Sequence, residues 1–167
     1  MTVSRRSLAA ALALVAGAAG WAAWQRLSAP APSDEDRIRA LFEQAARAVE
    51  EKRVSDAVSA VSERFSGEGL DRHGVKQLIA AQVFRGEWVS VSVAGSRVRV
   101  EGDAASAAVD VVMARSGKGT RLSDLLPQDA RANRFDCRLE REGGDWRVVS
   151  ASRRPISLAE ALAGPPP

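Results

Sequence analysis

The hydrophobic pattern changes from a helical to a strand-like repeat near the middle of the chain. Between residues 34 and 83, apolar residues recur every three or four positions, which predicts helices with one buried face. Ser33, Ser55 and Asp71 precede these stretches and are predicted helix caps. After Gly86 the apolar residues alternate with polar ones, which predicts half-buried strands. The order predicts an α+β domain in which three N-terminal helices precede a sheet.

The predicted strands are joined by tight turns. Residues 101–103 read Glu-Gly-Asp and residues 142–145 read Glu-Gly-Gly-Asp, and both sequences are typical of hairpin turns. Hairpins require antiparallel strands. The apolar positions also change from odd to even numbers near Gly95, which predicts a β-bulge there. Asp110 and Asp136 then fall on the outer side of the sheet, which leaves no acid on the predicted inner face.

The first 33 residues have a different character from the rest of the chain. Arg5 and Arg6 precede an uncharged run over residues 7–24, and Arg26 follows it. This pattern fits an uncleaved membrane anchor, and it also fits a secretory signal that is cleaved after small residues; a twin-arginine export signal is a third, partial match. In each case the positive residues stay inside and the body is exported. The predicted anchor residues are Leu8, Leu12, Leu14, Val15, Trp21 and Trp24.

These patterns divide the chain into four segments. Residues 1–27 are the signal anchor or signal peptide, and residues 28–33 are a Pro/Ala linker. Residues 34–155 form the folded domain, and residues 156–167 are a short helix with a proline tail. The predicted location is the inner membrane, with the body in the periplasm or another extracytoplasmic space. The alternative is a soluble periplasmic or secreted protein after signal cleavage.

Charge and composition exclude several classes of function. The net charge of +3 comes entirely from the first 33 residues, which leaves 21 basic and 21 acidic groups in the rest. A neutral body lacks the basic surface of a nucleic-acid-binding protein. Cys137 and His73 are the only residues of their types, so we expect no disulfide, metal site or cofactor. Cys137 lies on an apolar strand face, where burial makes a thiol unreactive.

Several segments of the domain resemble the nuclear transport factor 2-like superfamily. They are the acidic start of the first helix at Asp34, the helix opening Asp71 to Gly74, the strand and turn Val98 to Ala105, and the closing Gly143 to Ser150. The resemblance covers roughly residues 34–153. It implies the cone-shaped α+β fold of ketosteroid isomerase and scytalone dehydratase, in which a strongly curved antiparallel sheet wraps the first helix. The fold hosts enzymes, ligand binders and oligomerisation modules, so it does not by itself select a role.

The resemblance also implies a pocket between the first helix and the sheet. Isomerase-like members use a pocket Asp with a Tyr donor, and this chain has no Tyr. His73 and Asp71 are weak catalytic candidates, since they also fit a partly exposed helix residue and a helix cap. The residues predicted to line the pocket are Ile38, Phe42, Val111, Met113, Phe135 and Leu139.

Two classes of function stay open. The leading expectation is a non-catalytic, exported module that binds a small apolar ligand or a protein partner, because the inner-face positions are aliphatic and aromatic. The alternative is a lyase- or isomerase-like enzyme that uses a pocket in the same fold. A homodimer through the outer face of the sheet is a further expectation, because many relatives pair in this way.

Overall fold

A computed structural model of the chain describes residues 31–85, 90–114 and 130–166. The predicted α+β class is confirmed. The predicted N-terminal apolar helix and its anchor residues lie outside the described residues, and no helix inside them is long and apolar enough to cross a membrane. The helices are α1 Asp34–Glu50, α2 Val54–Ser59, α3 Arg72–Phe84 and α4 Leu158–Ala163. The strands are β1 Ser90–Glu101, β2 Ala104–Ala114, β3 Ala130–Glu142 and β4 Asp145–Ile156.

The four strands form one antiparallel sheet in the order β1-β2-β3-β4. Its inner face carries Val109, Phe135 and Cys137 and is turned towards α1, while its outer face carries the alternate residues. The pairing of β1 with β2 shifts between Val93 and Gly95, which confirms the predicted bulge. A second shift lies between β3 and β4. Bulges increase the twist of a sheet and bend its strands.

Helix α1 starts where the sequence predicts and is fastened to the β3–β4 hairpin. The Ser33 hydroxyl accepts a hydrogen bond from the Asp36 backbone N–H at 3.1 Å. The Asp34 carboxylate accepts hydrogen bonds from Arg141 Nη2 at 2.6 Å and from Trp146 Nε1 at 3.1 Å. These bonds, first the one from Arg141, lower the pKa of Asp34. The ionised carboxylate thus holds the start of α1 against the sheet.

Helix α2 is shorter than its apolar stripe predicts. It begins at Val54, and the residue at its N-terminal boundary is Arg53, so the prediction of a Ser55 cap is wrong. The chain leaves the helix after Ser59 because the next residues pair with the free edge of β4: Ser62 N–H donates to the Val148 carbonyl at 2.9 Å. This segment covers backbone groups that an edge strand would otherwise expose.

Helix α3 is capped as predicted, but its apolar face is not packed. The Asp71 carboxylate accepts a hydrogen bond from the Gly74 N–H at 2.7 Å. No residue of α3 is fully buried, and Leu78, which the helical repeat places on the inner face, is 46% exposed. The helix contacts α2. Its apolar face borders a cavity instead of a core, and this explains the exposure.

The main core fills the end of the domain nearest the turns. There α1 contributes Ile38, and the inner face of the sheet contributes residues such as Leu139; both are completely buried. Trp146 is buried beside them, and its ring packs against the Arg141 guanidinium at 4.5 Å. The buried members of this core are Ile38, Phe65, Ala105, Ala107, Val109, Cys137, Leu139, Trp146 and Val148.

The outer face of the sheet carries a second, smaller core beneath α4. Asp110 lies on the outer face, as its position in the strand predicts, yet it is not exposed there: its side chain is 0% exposed, because α4 covers it. Its carboxylate forms a bidentate ion pair with Arg134: Nε donates to Oδ1 at 2.5 Å, and Nη2 donates to Oδ2 at 2.7 Å. Arg134 also donates to the Gly164 carbonyl just after α4. The buried residues around this pair are Val112, Ala114, Ala130, Ala132 and Ala161.

Candidate ligand cavity

A cavity of about 970 Å³ lies between the inner face of the sheet and the three N-terminal helices. Its walls come from α1, α2, α3, the segment around Gly67 and the inner face of β1 to β4. The lining is mainly aliphatic and aromatic. Small-molecule sites are typically concave, apolar and of about 300–1,000 Å³. The volume of this cavity lies within that range, and its lining is of the same character.

Four of the six residues predicted to line the pocket do so, and two do not. Phe42 of α1, Val111 and Met113 of β2, and Phe135 of β3 line the cavity. The other two, Ile38 and Leu139, are sealed in the main core and do not reach it. The inner-face repeat correctly gives the direction of all six side chains. The repeat does not predict where along the sheet the packed core ends and the cavity begins.

The wall beside Gly67 depends on close contact between two backbones. A Cβ atom at Gly67 would lie 2.5 Å from the Ala151 carbonyl oxygen, closer than real Cβ contacts allow. Next to it, Ser66 N–H donates to the Val149 carbonyl at 3.0 Å, and Glu68 Oε1 accepts from the Arg153 backbone N–H at 2.5 Å. The glycine therefore lets this segment run along β4 and close one side of the cavity.

The inner face becomes polar along β3 towards the far end of the cavity. Leu139, Cys137 and Phe135 are followed on the same face by Asn133 and Arg131. On β4, Arg153 lies directly opposite Phe135. This polar corner was not predicted, because Phe135 and Leu139 were the only residues of this strand among the predicted pocket residues. When the same alternation is extended back by four residues, it places Asn133 and Arg131 on the inner face of the sheet.

Two further polar groups in the lining come from outside the sheet. Gln82 of α3 has a buried Oε1 atom with no hydrogen-bond partner among the described residues. A ligand hydroxyl or amide could satisfy this acceptor. Glu68 is the one carboxylate in the described lining. Sequence alone gave no sign of either, because neither lies on an inner strand face.

Cys137 lines the cavity as a neutral thiol. Burial raises its pKa to about 12, from an ordinary value near 9. The thiolate is the nucleophilic form of cysteine, and at neutral pH this thiol stays protonated. The predicted burial of this cysteine is confirmed.

The two weak catalytic candidates, Asp71 and His73, are not part of the cavity lining. The Asp71 carboxylate is occupied as the cap of α3. His73 is exposed, and its Nε2 atom lies 2.9 Å from the side-chain amide of Gln77. The part of the chain that the structure describes also has no cluster of three or more His, Cys, Asp or Glu side chains that could hold a metal ion. Among the described residues, the cavity thus joins a mainly apolar wall to the polar corner, and its lining holds no acid–base pair.

No protein-family model matches the chain, and no curated protein matches it. Solved structures do match. An NTF2-like protein with a cystatin-like fold from Novosphingobium aromaticivorans is 19% identical, with a TM-score of 0.57 over 93% of this chain and 92% of that one. An NTF2-like protein of unknown function from Pseudomonas putida is 18% identical, with a TM-score of 0.55 over 70% and 82% of the two chains.

A third similar structure is a protein of unknown function with a cystatin-like fold from Nostoc punctiforme. It is 10% identical, with a TM-score of 0.57 over 74% of this chain and 93% of that one. Identities this low show a common fold and carry no information about activity. They confirm the fold that the sequence resemblance implies: the chain has the cystatin-like α+β fold that these solved proteins show, two of which are described as NTF2-like.

Proposed function

We propose that this protein is an exported, membrane-tethered, non-catalytic module that binds a small apolar ligand in the cavity between its helices and the inner face of its sheet. The observation that carries the proposal is the cavity of about 970 Å³ with its mainly apolar lining. A protein partner is the alternative occupant, and the lyase- or isomerase-like enzyme is the alternative activity. Both are outcomes of the tests below.

The lining favours binding through contact area and shape. Burial of apolar surface contributes roughly 25 cal/mol per Å², so an apolar molecule gains affinity from every wall it touches. Gln82 Oε1 and the polar corner offer the few polar contacts that fix a ligand's orientation. An apolar chamber discriminates poorly between ligands that differ by one methylene group, so we expect modest selectivity.

Export and tethering are proposed from the N-terminal sequence. Arg5 and Arg6 precede the uncharged run over residues 7–24, and positive residues stay on the cytoplasmic side of a membrane. Alkaline phosphatase fused after Pro167 should therefore be active. Fractionation should leave the fusion in the membrane pellet if residues 7–24 are an anchor, and in the soluble fraction if they are a cleaved signal. A reporter active only in the cytoplasm would contradict export.

The ligand proposal is tested by filling the cavity. The full chain is titrated with an environment-sensitive apolar dye and compared with Met113→Trp, which places a larger ring in the cavity. Ser106→Trp is the matched control, because Ser106 lies on the same strand but is exposed on the outer face. All three proteins carry the same N-terminal segment, so dye taken up by lipid or detergent cancels in the comparison.

We expect dye binding to the native chain and to Ser106→Trp, and loss of binding in Met113→Trp with the fold intact by circular dichroism. Equal binding by all three would contradict a cavity site. Absence of dye binding together with a concentration-dependent dimer would favour the interaction module. Turnover of a test ketosteroid that disappears in His73→Ala or Asp71→Ala would replace the proposal with the enzyme.

A further inference from the structure

The polar side chains of the cavity wall are gathered in one corner. Arg131 and Asn133 lie two residues apart on the inner face of β3, and Arg153 lies opposite Phe135 on β4. Residues two apart on a strand are about 7 Å apart, and residues opposite each other on neighbouring strands are about 5 Å apart. Asn133 and Arg153 therefore occupy diagonal positions on neighbouring strands, about 7–8 Å apart, and Arg131 lies a further two residues along β3.

The positive charge that a ligand could meet in this corner is that of Arg153. The one carboxylate in the described cavity lining is that of Glu68. One oxygen of Glu68 is already engaged by the backbone N–H of Arg153. The Arg153 guanidinium itself forms no ion pair with any described residue, whereas the guanidinium groups of Arg134 and Arg141 are each paired with a carboxylate. A cation is thus available where the apolar wall ends.

We propose that the ligand is a single-chain amphiphile with one anionic head group, whose hydrocarbon body fills the cavity and whose head is held by Arg153 and Asn133. This inference rests on the proposed ligand-binding function and specifies its ligand class. The guanidinium fork matches two oxygens of a carboxylate or phosphate, and the Asn133 amide adds a further N–H donor. Arg153 is exposed and Asn133 is half-buried, so the head group would stay at the mouth of the cavity while the hydrocarbon enters it; a wholly apolar ligand would make no use of these two groups.

The test compares ligands of equal chain length that differ in their head group. Palmitate and hexadecyl phosphate carry an anion, and hexadecanol is neutral. Each is used to displace the apolar dye from the full chain. Arg153→Gln removes the cation, and Arg154→Gln is the matched control, because it removes the same charge from the next residue on the outer face of β4.

We expect Arg153→Gln to lower the affinity for an anionic ligand about tenfold and to leave the affinity for hexadecanol unchanged. A charge-assisted hydrogen bond contributes about that factor to the affinity. If Arg153→Gln loses affinity for palmitate alone, the head group is a carboxylate. If it loses affinity for hexadecyl phosphate alone, the head group is a phosphate. Arg154→Gln should change neither class by more than about twofold, because a rim charge on the other face is screened. Glu68→Gln should tighten anionic ligands and keep the backbone hydrogen bond, because the amide oxygen still accepts.

Equal displacement by the anionic ligands and hexadecanol, with no effect of Arg153→Gln on either, would overturn the anionic head group and leave the ligand-binding function standing. Failure of the dye itself to bind the cavity would overturn both. If Arg153→Gln loses affinity for hexadecanol and for palmitate to the same extent, the substitution has damaged the cavity. That result would also contradict a role of Arg153 that is specific to the head group.

Discussion

The two faces of the sheet are both covered by helices, yet only one of them is filled. On the outer face, the six-residue helix α4 seals a cluster of small side chains. On the inner face, three helices leave a cavity of about 970 Å³. The difference follows from side-chain size and distance. Alanines on the outer face let α4 lie close, whereas helix α3 borders the inner space without burying any of its residues.

Backbone contact shows how tightly the outer face is closed. A Cβ atom at Gly95 would lie 3.2 Å from Gly164 Cα and 3.3 Å from the Pro165 ring. The chain after α4 therefore rests directly on β1. The homodimer expected through the outer face would have to use the part of the sheet that α4 leaves uncovered, and this expectation stays a prediction.

The faces also treat buried ionisable groups differently. Asp110 on the outer face is paired through both carboxylate oxygens with Arg134. Cys137 on the inner face has no charged partner to balance it and stays a neutral thiol with a raised pKa. The outer face thus carries a closed core whose buried polar groups are hydrogen-bonded, and the inner face of the same strands carries a partly open apolar cavity. The three changes below probe this contrast in order of expected effect.

The largest effect should come from breaking the outer ion pair. Asp110→Ala leaves the Arg134 charge buried without a counter-charge, which should lower the free energy of unfolding by about 3–5 kcal/mol in urea titrations. Asp136→Ala is the control: its side chain is exposed on the same face, and the expected change is below about 0.5 kcal/mol. The double variant Asp110→Ala/Arg134→Met should recover much of the loss. A cost for Asp110→Ala near that of Asp136→Ala would mean that the outer core is not sealed.

A smaller difference should separate the packed and open parts of the inner face. Leu139→Ala creates a void in the main core and should cost about 3 kcal/mol, because Leu139 is completely buried. Met113→Ala only enlarges space that already exists and should cost about 1 kcal/mol. Urea unfolding of both variants gives the comparison. Equal costs would indicate that Met113 is packed as tightly as Leu139 and that the cavity is closed there.

The smallest effect is a pH dependence that belongs to Cys137. Between pH 9 and pH 12 the unfolded chain has released the thiol proton and the folded chain keeps it, so the free energy of unfolding falls as the pH rises. Moving from pH 8 to pH 10 should cost the native chain about 1.4 kcal/mol more than Cys137→Ala. Other titrating groups are shared by both proteins and cancel. Identical pH dependence in the two proteins would show that the thiol is solvated.

Much of the fold follows from local spacing in the sequence. The caps Ser33 and Asp71, the bulge at Gly95 and the direction of the inner-face side chains were all predicted correctly. Each depends on neighbouring residues: a short polar side chain meets the first N–H groups of a helix, and alternate residues of a strand face opposite sides. Such features need no knowledge of what packs on them.

Tertiary structure decided the rest. It buried Asp110 because the distant α4 covers it, and it ended α2 at Ser59 because the following residues pair with β4. It also left Phe135 beside open space while Leu139 was sealed, although both lie on one face of one strand. Periodicity gives the direction of a side chain, but the distance to the element opposite decides whether that side chain meets a core, a cavity or an ion pair.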